Sequence, residues 1–93
     1  MIRSFKCKDT EQIWNGLASR KFHRDIQNRA LRKVRQIDAS ITLDDLRNPP
    51  GNRLETLKGD RAGQMSVRIN AQWRICFVWR DGDADDVEIL DYH

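Results

Sequence analysis

The apolar residues of this chain keep one period before Asn48-Pro49-Pro50-Gly51-Asn52 and a different one after it. Two prolines between asparagines, with a glycine behind them, end any regular element. Each proline fixes φ, removes a backbone donor and restricts the residue before it. Ahead of this breaker Ile26, Ala30, Val34 and Ile37 recur at helical spacing, with Leu31 at the margin of the stripe. Arg24, Arg29, Arg32 and Arg35 fall opposite, which predicts an amphipathic helix over about 24–39 with its arginines in water. Behind the breaker the period is two. Met65, Val67 and Ile69 alternate with Ser66 and Arg68, and Trp73, Ile75, Phe77 and Trp79 alternate with Arg74, Cys76 and Val78. Each half has one apolar face that it cannot bury alone, so the breaker joins two parts of one domain over 1–93.

The remaining elements follow from local signals. Ile2–Phe5 reads as a short strand, with Ile2 and Ser4 facing one way and Arg3 and Phe5 the other. Asp9 or Thr10 offers the N-cap oxygen of a first helix carrying Ile13, Trp14 and Leu17, which breaks between Gly16 and Ser19. Thr42, followed by Asp44 and Asp45, caps a short turn through Leu46. Arg53–Leu57 is a short strand, 58–63 a turn, 70–72 a tight connection and Asp81-Gly82 a hairpin turn before a last strand around Val87 and Ile89. The order predicts an α+β fold: two N-terminal helices packed on one face of a twisted, mostly antiparallel sheet of four to five strands.

Composition narrows the function classes. Of the 93 residues 39% are hydrophobic and 33% charged, the balance of a folded domain with one core. No run approaches the ~18 apolar residues of a membrane span, and the opening residues lack an apolar signal core, so a cytoplasmic protein with no membrane contact is expected. Cys7 and Cys76 stand in no Cys-x-x-Cys or Cys/His spacing; two free structural thiols, no metal and no cofactor are expected. The net charge of +3 hides unequal halves. Residues 1–40 hold ten Lys/Arg against four Asp/Glu, while 41–93 hold seven against ten, six of those acids lying within 81–91. A basic half points to nucleic acid, although a merely solvated helix face carries the same charges. The alternation adds something more specific: Arg74 leaves the sheet on the face away from the helices, beside Arg68 on the neighbouring strand. Two guanidiniums on one open sheet face make a phosphate site.

Three stretches then resemble a known family: 57–63 (Leu-Lys-Gly-Asp-Arg-Ala-Gly), 66–70 (Ser-Val-Arg-Ile-Asn) and 72–77 (Gln-Trp-Arg-Ile-Cys-Phe). With the opening Met1–Phe5 and the ending Asp91-Tyr92-His93, they are similar to the HigB branch of the RelE-type toxins over nearly the whole chain. The resemblance implies a RelE-like fold and a ribonuclease that cleaves mRNA in the ribosomal decoding site. It also implies a helix-turn-helix antitoxin that silences the toxin and represses their shared operon, so operator DNA is reached only through the antitoxin. Glu55 stands where some members carry a histidine.

RNA cleavage by the ribose 2′-hydroxyl sets three tasks: removing that proton, neutralising the phosphorane and protonating the departing 5′-oxygen. With the resemblance in hand, Arg68 and Arg74 take the second. His93 is the natural proton carrier; Lys58 either shares that work or holds a phosphate, and the choice of general base between the two stays open. Arg61 is a further electrostatic candidate. Tyr92 offers a base a stacking platform or packs at the sheet edge. Asp91 orients His93 or Arg74, or binds a base edge. Glu55 is a base or an exposed strand carboxylate. Trp14, Trp73, Phe77 and Trp79 belong to the scaffold, and His23, among Arg20, Lys21 and Arg24, faces solvent. The acids of 81–91 must point away from a groove that holds RNA, or pair with arginines. Two other functions fit the same residues: a non-catalytic RNA-binding module, and a detoxified toxin kept as an antitoxin-binding co-repressor.

Overall fold

The computed structural model describes residues 1–48 and 50–91, with the backbone only at Pro50. Helices α1 (Lys8–Trp14), α2 (Arg24–Ala39) and α3 (Asp44–Arg47) precede strands β1 (Glu55–Thr56), β2 (Gln64–Arg68), β3 (Trp73–Arg80) and β4 (Asp83–Asp91). Single 3-10 turns lie at Pro50–Asn52 and Gly59–Arg61. The strands pair antiparallel in the order β1-β2-β3-β4.

α2 forms where the apolar stripe predicts it and buries that stripe, Ile26, Ala30, Val34 and Ile37, while Arg24, Arg29, Arg32 and Arg35 stay exposed. Val67, Ile69, Ile75, Phe77, Val87 and Ile89 supply the sheet side of the same core. Phe77 is fully buried, and Trp73 meets the buried Phe22 edge-on at 5.5 Å. His23 caps α2, its Nδ1 accepting the Asp25 N–H at 3.2 Å.

α1 begins two or three residues earlier than the capping pattern predicts, at Lys8, because both expected caps are used elsewhere. The buried Thr10 Oγ1 accepts the Ile89 N–H at 3.0 Å, and Asp9 Oδ1 accepts the Ser19 hydroxyl at 2.8 Å. Thr10 thereby bolts α1 to β4. The helix stops slightly earlier than expected, at Trp14, and leaves Leu17 outside it and exposed. Gly16 takes φ 80°, and the Gly16 and Leu17 N–H groups donate back to the Ile13 and Gln12 carbonyls. At α3 the capping is also reversed: the Asp45 carboxylate accepts the Ile41 and Thr42 N–H groups, and the Thr42 side chain makes no cap.

The N-terminal segment lies parallel to β4, joined by bridges at Ile2–Ala84 and Phe5–Val87 and by four backbone hydrogen bonds. Ile2 and Phe5 both pack against the core, against the expected alternation. The cause is a bulge in β4. Asp86 adopts φ 54° and shifts the β3–β4 register between Cys76 and Val78, and its N–H donates to Ser4 Oγ at 2.8 Å. The extra residue puts Ala84 and Val87, three apart, on one face, and the segment beside them follows. β1 is shorter than predicted, since Arg53 turns into the left-handed region at φ 43°.

Candidate functional site

On the sheet face away from the helices, the register sets side chains in rows. Arg68 of β2 stands directly opposite Arg74 of β3, which stands opposite Leu90 of β4. The next row is Glu55, Ser66, Cys76 and Glu88. Strand alternation therefore brings the two arginines together, as the sequence pattern implies.

The face is not open at Arg74, however. That residue is only 7% exposed. Its Nε donates to Ser66 Oγ at 2.8 Å, and its Nη2 to the carbonyls of Arg53 at 2.6 Å and Ser66 at 3.4 Å. Glu55 lies 3.9 Å from Nη1. Ser66 belongs to β2 and the chain entering β1 supplies the Arg53 carbonyl, a pairing that local periodicity cannot reveal. Arg53 holds a backbone conformation that costs a non-glycine residue about 1–2 kcal/mol. The result is a guanidinium whose plane is fixed by groups on two other segments. Ser66 and the Arg53 carbonyl are the functional groups that sequence reasoning missed; the alternation already put Ser66 on this face, but nothing local pairs it with Arg74.

Arg61 is tied down as well, its Nη1 donating to Glu88 Oε1 at 2.9 Å and Gln64 Oε1 at 3.1 Å. Lys6 Nζ lies 3.9 Å from the same Glu88 oxygen. Glu88 is thus one acid of the 81–91 run that does pair with an arginine. Asp83 is another: it meets Arg3 and the terminal amine, and the Arg3 hydrogen bond holds its carboxyl below the usual range. Arg68 and the exposed Lys58 have no hydrogen bond or ion pair among the described residues. They do not converge by backbone placement. Lys58 follows Leu57, whose N–H donates to the Gln64 carbonyl at one end of β2, and Arg68 is at the other end. Four residue steps along a strand span about 13 Å. Asp91 sits at the Arg68 end, opposite Trp73, and accepts from Gln72 Nε2 at 3.1 Å. Tyr92 and His93 lie outside the described residues. Among the described residues no cluster of three His, Cys, Asp or Glu is arranged to hold a metal, and no helix is long and apolar enough to cross a membrane.

Cys7 and Cys76 are both free thiols, Cys7 partly exposed and Cys76 buried. Burial pushes the Cys76 thiol up, beneath Arg61, Glu88 and Arg74. Burial also acts to raise Cys7, but the backbone N–H groups of Thr10 and Asp9, the Thr10 hydroxyl and Lys21 outweigh it and hold the thiol below its ordinary value. Iodoacetamide at neutral pH is therefore expected to label Cys7 at least tenfold faster than Cys76, with Cys76 reacting only in denaturant. Equal rates in the folded protein, read by mass spectrometry, would contradict this burial.

With that geometry in place, comparison with known proteins identifies the class. The solved structure of a YoeB/ParE toxin from Agrobacterium tumefaciens superposes with a TM-score of 0.59, at 17% identity, covering 99% of this chain and 98% of that one. The YoeB dimer from Staphylococcus aureus gives 0.56 at 18% identity, covering 99% and 94%. The fold is that of the RelE-type toxins. The sequence profile of the HigB-like toxins, described as RelE-like toxins of the type II toxin–antitoxin system HigB, matches residues 3–93. The chain is 42% identical to Toxin HigB-1 of Vibrio cholerae over 88 residues, 90% of each protein. It is 35% identical to Endoribonuclease HigB of Proteus vulgaris over 94 residues and the full length of both. The chain belongs to the HigB family of type II toxins, whose members are paired with an antitoxin.

Proposed function

We propose that this protein is a ribosome-dependent endoribonuclease that cuts mRNA by 2′-hydroxyl attack, without a metal, and is neutralised by a cognate antitoxin. The observation that carries the reading is the Arg68–Arg74 pair on the sheet face. One guanidinium is locked in place by Ser66 and Arg53, and the other has no acid partner among the described residues. A fixed cation costs no reorganisation as charge builds on a phosphorane, which is how preorganised groups lower a barrier. The full-length likeness to a relative named as an endoribonuclease supports the same reading.

In this reading Arg74 and Arg68 stabilise the scissile phosphate, and His93 carries the proton between the 2′-hydroxyl and the 5′-oxygen. Asp91 is at the Arg68 end of the sheet, in register with the helix-facing Trp73, and from there orients His93 or binds a base edge. Tyr92 stacks a base. Lys58 either shares that proton work or, with Arg61, holds a neighbouring phosphate of the same strand. The antitoxin is a helix-turn-helix protein through which operator DNA is reached, and the toxin acts in the cytoplasm, where its ribosomes are.

The decisive measurement is cleavage of a defined mRNA by purified protein, with and without programmed ribosomes, mapped by primer extension. Cuts at in-frame codons only when ribosomes are present are expected. A folded protein that cuts under neither condition would instead be a binding module or an antitoxin-binding co-repressor.

A further inference from the structure

α2 carries a basic feature that the sheet face does not use. Arg29, Arg32 and Lys33 stand at i, i+3 and i+4, and with Gly51 and Ile69 they line a cleft of about 200 Å³. Lys33 is held at the wall: its Nζ donates to Oδ1 of the fully buried Asn52. The Asn52 amide in turn donates to Gln36 Oε1 at 3.1 Å and the Leu46 carbonyl at 3.0 Å. Arg29 and Arg32 are exposed, and among the described residues no carboxylate pairs with any of the three. Burial, then repulsion from Arg32 and Arg29, lowers the Lys33 pKa. The free protein therefore bears an uncompensated cluster of like charge around one small concavity, a cost that a bound anion removes.

The position and the chemistry both bear on which anion. Ile69, in the cleft, directly follows Arg68, which faces the other side of the sheet opposite Arg74. The cleft thus opens at the same end of the sheet as that arginine pair, on the helix side. Two guanidinium forks and a fixed ammonium match the oxygens and charge density of a phosphodiester. An acidic peptide disperses its carboxylates along a chain and fits one small cleft less well. We propose that Arg29, Arg32 and Lys33 form a second anion site that grips the phosphodiester backbone of RNA away from the cleaved bond. The protein would then hold RNA from both sides of one sheet end. The inference rests on reading the chain as an enzyme that acts on RNA.

The test uses the full chain with Arg29→Gln, Arg32→Gln and Lys33→Gln combined, beside Arg29→Lys/Arg32→Lys, which keeps the charge and controls for folding. Binding to single-stranded RNA and to empty ribosomes is measured across salt concentrations, with steady-state cleavage and antitoxin affinity in parallel. Removing three phosphate contacts should flatten the slope of log K against log salt by about 2, weaken binding on the order of 100-fold at low salt, and leave kcat unchanged while KM rises. The lysine variant should keep the slope. A change on free RNA identifies the messenger as the ligand, and a change on ribosomes alone identifies ribosomal RNA. An unchanged slope and KM would overturn the site, as would a loss confined to antitoxin binding. A wild-type protein that binds with the steep slope yet never cleaves would overturn the enzymatic reading and leave this site standing.

Discussion

Replacing Arg74 by alanine should lower kcat/KM for mRNA cleavage by about 10²–10³-fold, the usual cost of removing one preorganised charge-stabilising group. The structure adds a complication that the experiment must absorb. Arg74 is buried, and its removal leaves the Ser66 hydroxyl and the Arg53 carbonyl without their donor and Glu55 without its nearby cation. Unmet buried acceptors cost about 1–3 kcal/mol, so the alanine variant should also melt earlier. Arg74→Lys separates the two effects. It keeps a positive charge but lacks the planar fork that bonds Ser66 and Arg53 together. A lysine variant that melts near wild type yet loses most cleavage would mark the oriented guanidinium as the catalytic element. Full cleavage by that variant would reduce Arg74 to a strut between β1 and β3.

A chain ending at Tyr92 should lose about 10²–10⁴-fold in kcat, the range expected when a general acid–base is removed. The core should stay folded, because its last buried apolar residue is Ile89, and a melting curve beside the rate checks that the loss is not one of folding. The pH profile gives a second readout. The limb that an imidazole contributes to the wild-type profile should vanish from the truncated protein. Cleavage at the wild-type rate by the truncated chain would pass the proton to Lys58. A Lys58→Met variant would then show the larger loss.

Much of this molecule is legible in one dimension, for a definite reason. The side chains of a helix or strand take their direction from local geometry, so a period of 3.6 or 2 says which residues share a face before any partner is known. That is why Ile26, Ala30, Val34 and Ile37 are read correctly as the buried stripe of α2, and why Arg68 and Arg74 can be placed on one side of the sheet. Chain-terminating signals are local too, and Gly16 ends α1 where its freedom at φ 80° predicts. Pairing is different, because a polar group near in sequence competes with every group that folding brings close. Thr10 and Asp9 look like caps, yet they bond Ile89 and Ser19. Ile2 and Phe5 look alternate, yet the bulge at Asp86 turns both inward.

The candidate site divides along the same line. The amino-acid order by itself determined the fold class, the helix-facing and outer faces of the sheet, and the pairing of Arg68 with Arg74 on the outer one. Tertiary structure alone decided that Arg74 lies clamped between Ser66 and Arg53 rather than in solvent, and that Arg61 is spent on Glu88 and Gln64. It also decided that Lys58 lies at the far end of β2 from Arg68, and that Asn52 pins Lys33 beside a cleft. Each of these depends on contacts between segments far apart in the chain. Local periodicity encodes the direction of a side chain, and only the packed chain supplies the neighbours it finds there.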